Sequence, residues 1–153
     1  AALLHDVGTL AIDDRVLDNS DRLSAEEQRE IERHPALGER IVAGLGLPEE
    51  ARWVRHHHER VDGSGYPDGL GGNAIPLEAA ILLIADAFEA MTTDRPYRAA
   101  RAPEEALAEI ELHAGTQFHP DVVAALTAVL ARGGSLLDAN NSGTQNTQKA
   151  HTS

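Results

Sequence analysis

A carboxylate stands inside the most apolar stretch of this chain, Ala79-Ala80-Ile81-Leu82-Leu83-Ile84-Ala85-Asp86-Ala87-Phe88. Taking an ionised side chain out of water without a partner is costly, so the fold must bring Asp86 a cation, a donor network or water. An exposed stripe position would also satisfy it, but the flanking residues leave little polar surface for one, which favours a buried carboxylate. The run itself predicts a helix from about Leu77 to Met91.

The punctuation elsewhere is also helical, with no sustained apolar/polar alternation of the strand kind. Ala1 to about Asp6 reads as the end of a helix. Ser24-Ala25-Glu26-Glu27 is a capping box that opens a helix reaching Arg33. Pro35 interrupts it, and a further helical stretch runs to Val42 before Gly44-Leu45-Gly46. Pro48 suits a first helical position and predicts a helix to about His58. Pro103 starts another through His113, and Pro120 or Asp121 opens the last, which closes near Arg132 with Gly133-Gly134 as its stop. Residues 61–75 contain Gly63, Gly65, Gly69, Gly71 and Gly72, and a loop of that length inside a domain is usually functional. From Asn140 onward the residues bury too little apolar surface to offset their ordering entropy. The expected architecture is all-α, with one domain over residues 1–133, a long Gly/Pro loop, and a disordered C-terminal tail over residues 134–153.

A chain of 153 residues can bury a single core, and with aromatics at 3% that core must be filled by Leu, Ile, Val and Ala. The chain has no cysteine, which removes disulfides and thiolate ligands and leaves His, Asp and Glu to hold any metal. A net charge of −12 argues against a nucleic-acid polymer as partner, because phosphate binding needs clustered Lys and Arg. A small phosphorylated ligand stays open if metal ions and local arginines supply the positive field. No apolar run approaches membrane-spanning length and no basic leader with a cleavage site opens the chain, so a cytoplasmic location is the default. The missing initiator Met reads as a front edge preceded by residues outside this chain.

Two segments offer imidazoles and carboxylates at a density that suits a transition metal. One is His5-Asp6. The other is His57-His58-Glu59, which follows His56 and runs directly into the Gly/Pro loop. Neighbouring helical residues diverge by about 100°, so His5 and Asp6 suit two ions, with the aspartate shared, better than one. Alone, the dipeptide reads more readily as a helix-terminal His–Asp hydrogen bond, and the histidine run equally as a solvated helix end. In isolation His34, before Pro35, reads as structural. It is their joint occurrence with Asp86 that points to metal. Asp94-Arg95-Pro96-Tyr97-Arg98, with Arg101 close behind, leaves the Asp86 helix and offers guanidinium forks to phosphate oxygens, or a set of surface ion pairs.

Together these segments resemble the HD-GYP family, a subgroup of the HD phosphohydrolase superfamily. The resemblance is carried by Leu4-His5-Asp6-Val7-Gly8, His34-Pro35 with Gly38, His57 to Pro67 with Asp68-Gly69-Leu70, Ile75-Pro76-Leu77, Ala85-Asp86, Asp94 to Arg98, and Ala114-Gly115-Thr116-Gln117-Phe118. It implies an HD-domain helical bundle around a carboxylate-bridged centre of two or three divalent ions, iron or manganese. It implies hydrolysis of cyclic di-GMP to linear pGpG, to GMP or to both, in bacterial signal transduction. The implied metal ligands are His5, Asp6, His34, His57, His58 and Asp86, with Asp6 as the bridge. Arg95 and Arg98 would touch substrate phosphates, Tyr66 would flank the pocket in the GYP loop, and His56 would be a bystander. Candidate partners are signalling proteins such as diguanylate cyclase domains, and a homodimer is a candidate assembly.

The chain also departs from the family pattern. Thr9 takes the catalytic position where His-Asp-x-Gly-Lys has a lysine that helps neutralise or protonate the phosphodiester. Helices that precede the His-Asp pair in the family are reduced here to four residues, an N-terminal truncation that predicts exposed apolar surface and a less stable or self-associating domain. Val61 replaces a usual tryptophan, and His119 a usual aspartate. Thr9 and the shortened front also suggest an alternative: a catalytically impaired module that binds metal or nucleotide or acts as a protein-interaction domain.

Overall fold

A computed structural model of the chain describes residues 1–17, 23–94 and 99–144, with side chains described through residue 132. The elements are 3-10 turns at Ala2–Leu4 and Val7–Ala11, then α1 (Asp14–Leu17), α2 (Ala25–Ile31), α3 (His34–Gly44), α4 (Pro48–His56), a 3-10 turn at Gly72–Ala74, α5 (Leu77–Thr92), α6 (Pro103–Leu112) and α7 (Pro120–Thr144). Among the described residues, extended pairing is limited to isolated bridges joining Asp62 to Gly71 and Ala114 to Phe118. None of the described helices is long and apolar enough to cross a membrane.

Local chemistry sets the boundaries. Glu27 N–H donates to Ser24 Oγ at 3.2 Å and Ser24 N–H donates to Glu27 Oε2 at 2.8 Å, the reciprocal box expected from the sequence and worth about 1 kcal/mol. Pro35, Pro48 and Pro103 lie in the first turns of α3, α4 and α6, where a missing N–H leaves no bond unmade. Pro35 therefore opens a new helix, and the preceding one ends at Ile31.

Two segments differ from the sequence expectation. The front is a pair of 3-10 turns, and the chain leaves helical geometry at Asp6 (φ −97°, ψ 10°). The last helix passes Gly133-Gly134 and continues to Thr144. Each glycine costs a helix only about 1 kcal/mol, and Leu136, Leu137 and Ala139 follow with no proline to stop the chain. The remainder of the expected tail, residues 145–153, lies outside the described residues.

Two apolar clusters hold the helices. Ile75, Ala79, Ala80, Leu83, Ile84, Ile110, Phe118, Val122 and Val123 join α5, α6 and α7. Val42, Ala51 and Val54 join α3 and α4, with Ala1, Leu4 and Val7 of the front packed on them. Each fully buried side chain of the size of Ile110 or Val54 contributes roughly 1.5–3 kcal/mol. Phe118 and the partly buried Phe88 excepted, the cores are aliphatic, as the scarcity of aromatics requires. Leu3 and Leu10 of the front segment are exposed, at 100% and 83%. Because α4 packs on both α3 and α5, its C-terminal end brings the two clusters together, and the functional side chains collect there.

Candidate metal centre

Close backbone packing brings the front segment to the histidines. A Cβ on Gly8 would overlap the His34 carbonyl oxygen and stand 2.6 Å from Gly38 N, so only glycine lets this turn lie flat against α3. Asp6, two residues earlier, is thereby carried to the start of α3 and the end of α4. Its Oδ1 lies 3.3 Å from His34 Nε2 and 3.6 Å from His57 Nε2, and its Oδ2 lies 3.1 Å from His5 Nε2. His5 Nε2 in turn lies 3.8 Å from Asp86 Oδ1. The His57 and His58 rings are 4.0 Å apart at their centroids. Asp6, His34, His57 and His58 each offer a donor atom within 4.8 Å of the others.

Three of these imidazoles are oriented by one device. Each follows a helical turn and donates from Nδ1 to the carbonyl three residues back: His5 to Ala2 at 2.7 Å, His34 to Ile31 at 2.7 Å, His57 to Val54 at 2.6 Å. Those bonds assign the proton to Nδ1 and turn the Nε2 lone pair into the cluster. The centre is consequently rich in acceptors. His34 Nε2 faces His57 Nε2 at 3.4 Å, and His5 Nε2 is buried with no hydrogen-bond partner. Neutral imidazole nitrogens and carboxylates at about 3 Å spacing are the donor set of a divalent ion held at roughly 2.0–2.2 Å. The residues present fit such an ion.

The charge balance leads to the same place. Beside Asp6 first and Asp86 second, the His5 imidazole is pushed up to about 10. The Asp6 carboxyl is held far below the usual carboxylate range by His34, then by His5 and His57. Asp86 is lowered chiefly by His5. His58 is pushed down to about 3, first by burial and then by its neighbours His57 and His34, against which a further positive charge is unfavourable. Positive charge is wanted between the carboxylates. A proton on His5 meets that demand weakly, and a divalent ion meets it fully.

The Gly/Pro loop folds back over His58. A Cβ on Gly65 would overlap Arg60 N and stand 2.5 Å from the His58 carbonyl oxygen, so this glycine lets the loop press on the main chain. Tyr66 N–H donates to His58 O at 3.3 Å, and the Tyr66 ring stacks on His58 at 4.9 Å and 26°. Burial pushes the Tyr66 hydroxyl up to about 12. Asp62 N–H donates to Thr116 O at 2.8 Å, which ties the loop to the turn between α6 and α7. Inside the loop, Glu59 is 1% exposed and accepts from Asp68 N–H at 2.7 Å and Leu70 N–H at 2.9 Å.

The six residues expected around a metal, His5, Asp6, His34, His57, His58 and Asp86, are thus brought together, with Tyr66 beside them. Neighbours such as His5 and Asp6 converge because they sit where a helical turn ends and the chain leaves helical geometry. Asp86 is half-exposed at 37% instead of buried, because α5 opens towards the cluster at that point. Thr9 Oγ1 donates to the Asp6 carbonyl at 2.7 Å, so its hydroxyl is committed to the backbone. His56 points away from the cluster, its Nδ1 lying 3.5 Å from Asp68 and 3.8 Å from Glu59. Arg95 and Arg98 lie outside the described residues. Sequence reasoning missed Glu59; its signal is a carboxylate placed directly before a glycine-rich loop whose N–H groups have no strand to pair with.

Fold and site define a helical domain with a histidine–carboxylate cluster suited to divalent ions. A family model described as HD domain matches residues 1–122. The chain is 44% identical over 129 residues to the cyclic di-GMP phosphodiesterase response regulator RpfG of Xanthomonas campestris, covering 82% of this chain and 34% of that protein. It is 40% identical over 131 residues to 3'3'-cGAMP-specific phosphodiesterase 3 of Vibrio cholerae, covering 85% and 28%. It is 41% identical over 128 residues to a cyclic di-GMP phosphodiesterase of Thermotoga maritima, covering 82% and 35%. Among solved structures, a cyclic GMP-AMP phosphodiesterase of V. cholerae superposes with a TM-score of 0.66 at 22% identity, over 84% of this chain and 36% of that one. Bd1817, an HDG"Y"P protein of Bdellovibrio bacteriovorus, does so with 0.61 at 22%, over 84% and 41%. The chain belongs to the HD domain family and is of the HD-GYP type. It spans about a third of the length of the curated relatives it matches.

Proposed function

We propose that this chain is the catalytic domain of a metal-dependent phosphodiesterase that hydrolyses cyclic di-GMP to linear pGpG, GMP or both, in bacterial cytoplasmic signalling. The observation that carries the proposal is the divided surroundings of Asp6. One oxygen faces His34 and His57, the other faces His5, and His5 faces Asp86. That division supports a centre of two or three divalent ions, which His34, His57 and His58 on one side of Asp6, and His5 and Asp86 on the other, would hold together with the Asp6 carboxylate. Mixed imidazole and carboxylate donors suit iron or manganese. Divalent ions at such a site supply positive charge to the phosphodiester and an activated water as nucleophile.

The chain's own residues orient the substrate. Tyr66, lying on His58, offers an aromatic face at the mouth of the site on which a purine can stack. Arg95 and Arg98 are assigned to the phosphates, where a guanidinium fork pairs bidentately with oxygens. Thr9 steadies the turn carrying Asp6 but brings no cation to the leaving oxygen, so turnover is slow compared with lysine-bearing relatives. The candidate partners are signalling proteins such as diguanylate cyclase domains, with a homodimer as the candidate assembly.

The test is incubation of manganese- or iron-loaded protein with cyclic di-GMP and, in parallel, 3'3'-cGAMP, with chromatography of the products. The expected result is a linear dinucleotide that a His57→Ala, His58→Ala variant does not form. No turnover above that control, together with nucleotide binding, would establish the catalytically impaired module instead.

A further inference from the structure

We infer that Arg55 is a positioning residue that holds the Tyr66 loop against the metal cluster; only the kinetic arm of its test rests on the phosphodiesterase proposal. Arg55 lies on α4, two residues before His57, and its guanidinium reaches away from the cluster. Nε and Nη2 donate to Asp68 Oδ2 and Oδ1, each at 2.7 Å, and Nη1 donates to Glu39 Oε2 at 2.7 Å. One side chain therefore ties α3, which begins at His34, to α4, which delivers His57 and His58, and to the loop two residues beyond Tyr66. A bidentate pair fixes orientation as well as distance.

The loop needs such a grip. Gly63, Gly65 and Gly69 give it no side chains to pack, and its main-chain tie beside the aromatic ring is the Tyr66–His58 bond at 3.3 Å. Asp68 is gripped twice, by Arg55 through its carboxylate and by buried Glu59 through its N–H. His56, Glu59 and Asp68 also offer donor atoms within 4.8 Å of one another. Both Asp68 oxygens are already taken by Arg55, whose guanidinium supplies the cation that this second cluster would otherwise seek. The network is thus a latch, and Arg55 acts on the site through Asp68 and the loop.

Four variants of the full chain test this: Arg55→Gln, Asp68→Asn, the two combined, and the milder Arg55→Lys. Loss of the latch is expected to speed hydrogen exchange of the amides between residues 61 and 72 by about tenfold, the scale of coupling between paired side chains. Bound manganese per chain should stay at the wild-type level. With cyclic di-GMP, KM should rise by about tenfold while kcat changes by less than about threefold, the pattern of lost substrate binding. Arg55→Lys should restore part of the loss, and the double variant should be no worse than Arg55→Gln. Unchanged loop exchange in Arg55→Gln, or loss of manganese in step with the KM effect in both Arg55 variants, would overturn the inference. If the wild type does not turn over cyclic di-GMP, the phosphodiesterase proposal fails, and the exchange and metal arms still decide the latch.

Discussion

Replacing Gly8 with alanine puts one methyl group where backbone meets backbone. The new Cβ would overlap the His34 carbonyl oxygen and stand 2.6 Å from Gly38 N. Neither is the far end of a flexible side chain, so no rotamer change relieves the clash. Relieving both contacts to an ordinary separation of about 3.5 Å requires the front turn to retreat by roughly 1.5 Å, a distance set by the His34 carbonyl oxygen. Overpacking of this kind costs about 1–3 kcal/mol, and the rigidity of the facing atoms places Gly8→Ala near the upper figure, against a typical total stability of about 5–15 kcal/mol. The same retreat pulls Asp6 away from His34 and His57, now 3.3 and 3.6 Å distant, and should weaken metal binding at least about tenfold, or 1.4 kcal/mol. Urea unfolding of metal-free protein and a manganese titration measure the two effects. Gly44→Ala is the control: nothing lies within 4 Å of its Cβ, and alanine there should be neutral or stabilising by about 0.5–1 kcal/mol. A Gly8→Ala protein that matches wild type within about 0.5 kcal/mol and binds manganese equally well would refute the reasoning.

Other outcomes follow from the same geometry. Glu59→Gln leaves one of the two part-buried loop N–H groups that bond the buried Glu59 carboxylate facing an NH2 group and should destabilise by about 1–3 kcal/mol, read from a urea curve; a change below about 0.5 kcal/mol would contradict the role. In metal-free protein His5 ionises near 10 instead of 6.5. Its folded-state pKa is raised, so its stabilising contribution is complete below pH 6.5 and is lost as pH rises through about 10. The stability gap between wild type and His5→Gln should therefore narrow across that window, while metal affinity, in competition with the same proton, should strengthen; a gap that widens with pH contradicts the assignment. Thr9→Lys should raise kcat at unchanged metal content, and an unchanged rate would mean that the missing cation does not limit turnover.

Much of the fold is legible because proline and capping signals act locally. Ser24, Pro48 and Pro103 mark helix starts without reference to distant residues. Gly133-Gly134 misleads because a glycine pair weakens a helix without forbidding it. At the site, Asp86 signals its need for company by standing in an apolar run, although its half-exposure depends on where α5 meets its neighbours. His34 carries no such mark, and its place beside Asp6 depends on the approach of two backbones at Gly8 and Gly38. Glu59 and Arg55 are harder still. Their partners, Asp68 and Glu39, are many residues away and are set by how the loop returns over α4.

Titration of metal-stripped wild-type protein with manganese, alongside Asp6→Ala, tests the shared-carboxylate centre most directly. About two ions per chain are expected for the wild type, as in paired-metal hydrolytic sites, and the loss of Asp6 should abolish the binding of both because both draw on its carboxylate. A wild type that binds no manganese, or an Asp6→Ala protein that binds it with undiminished stoichiometry and affinity, would contradict it.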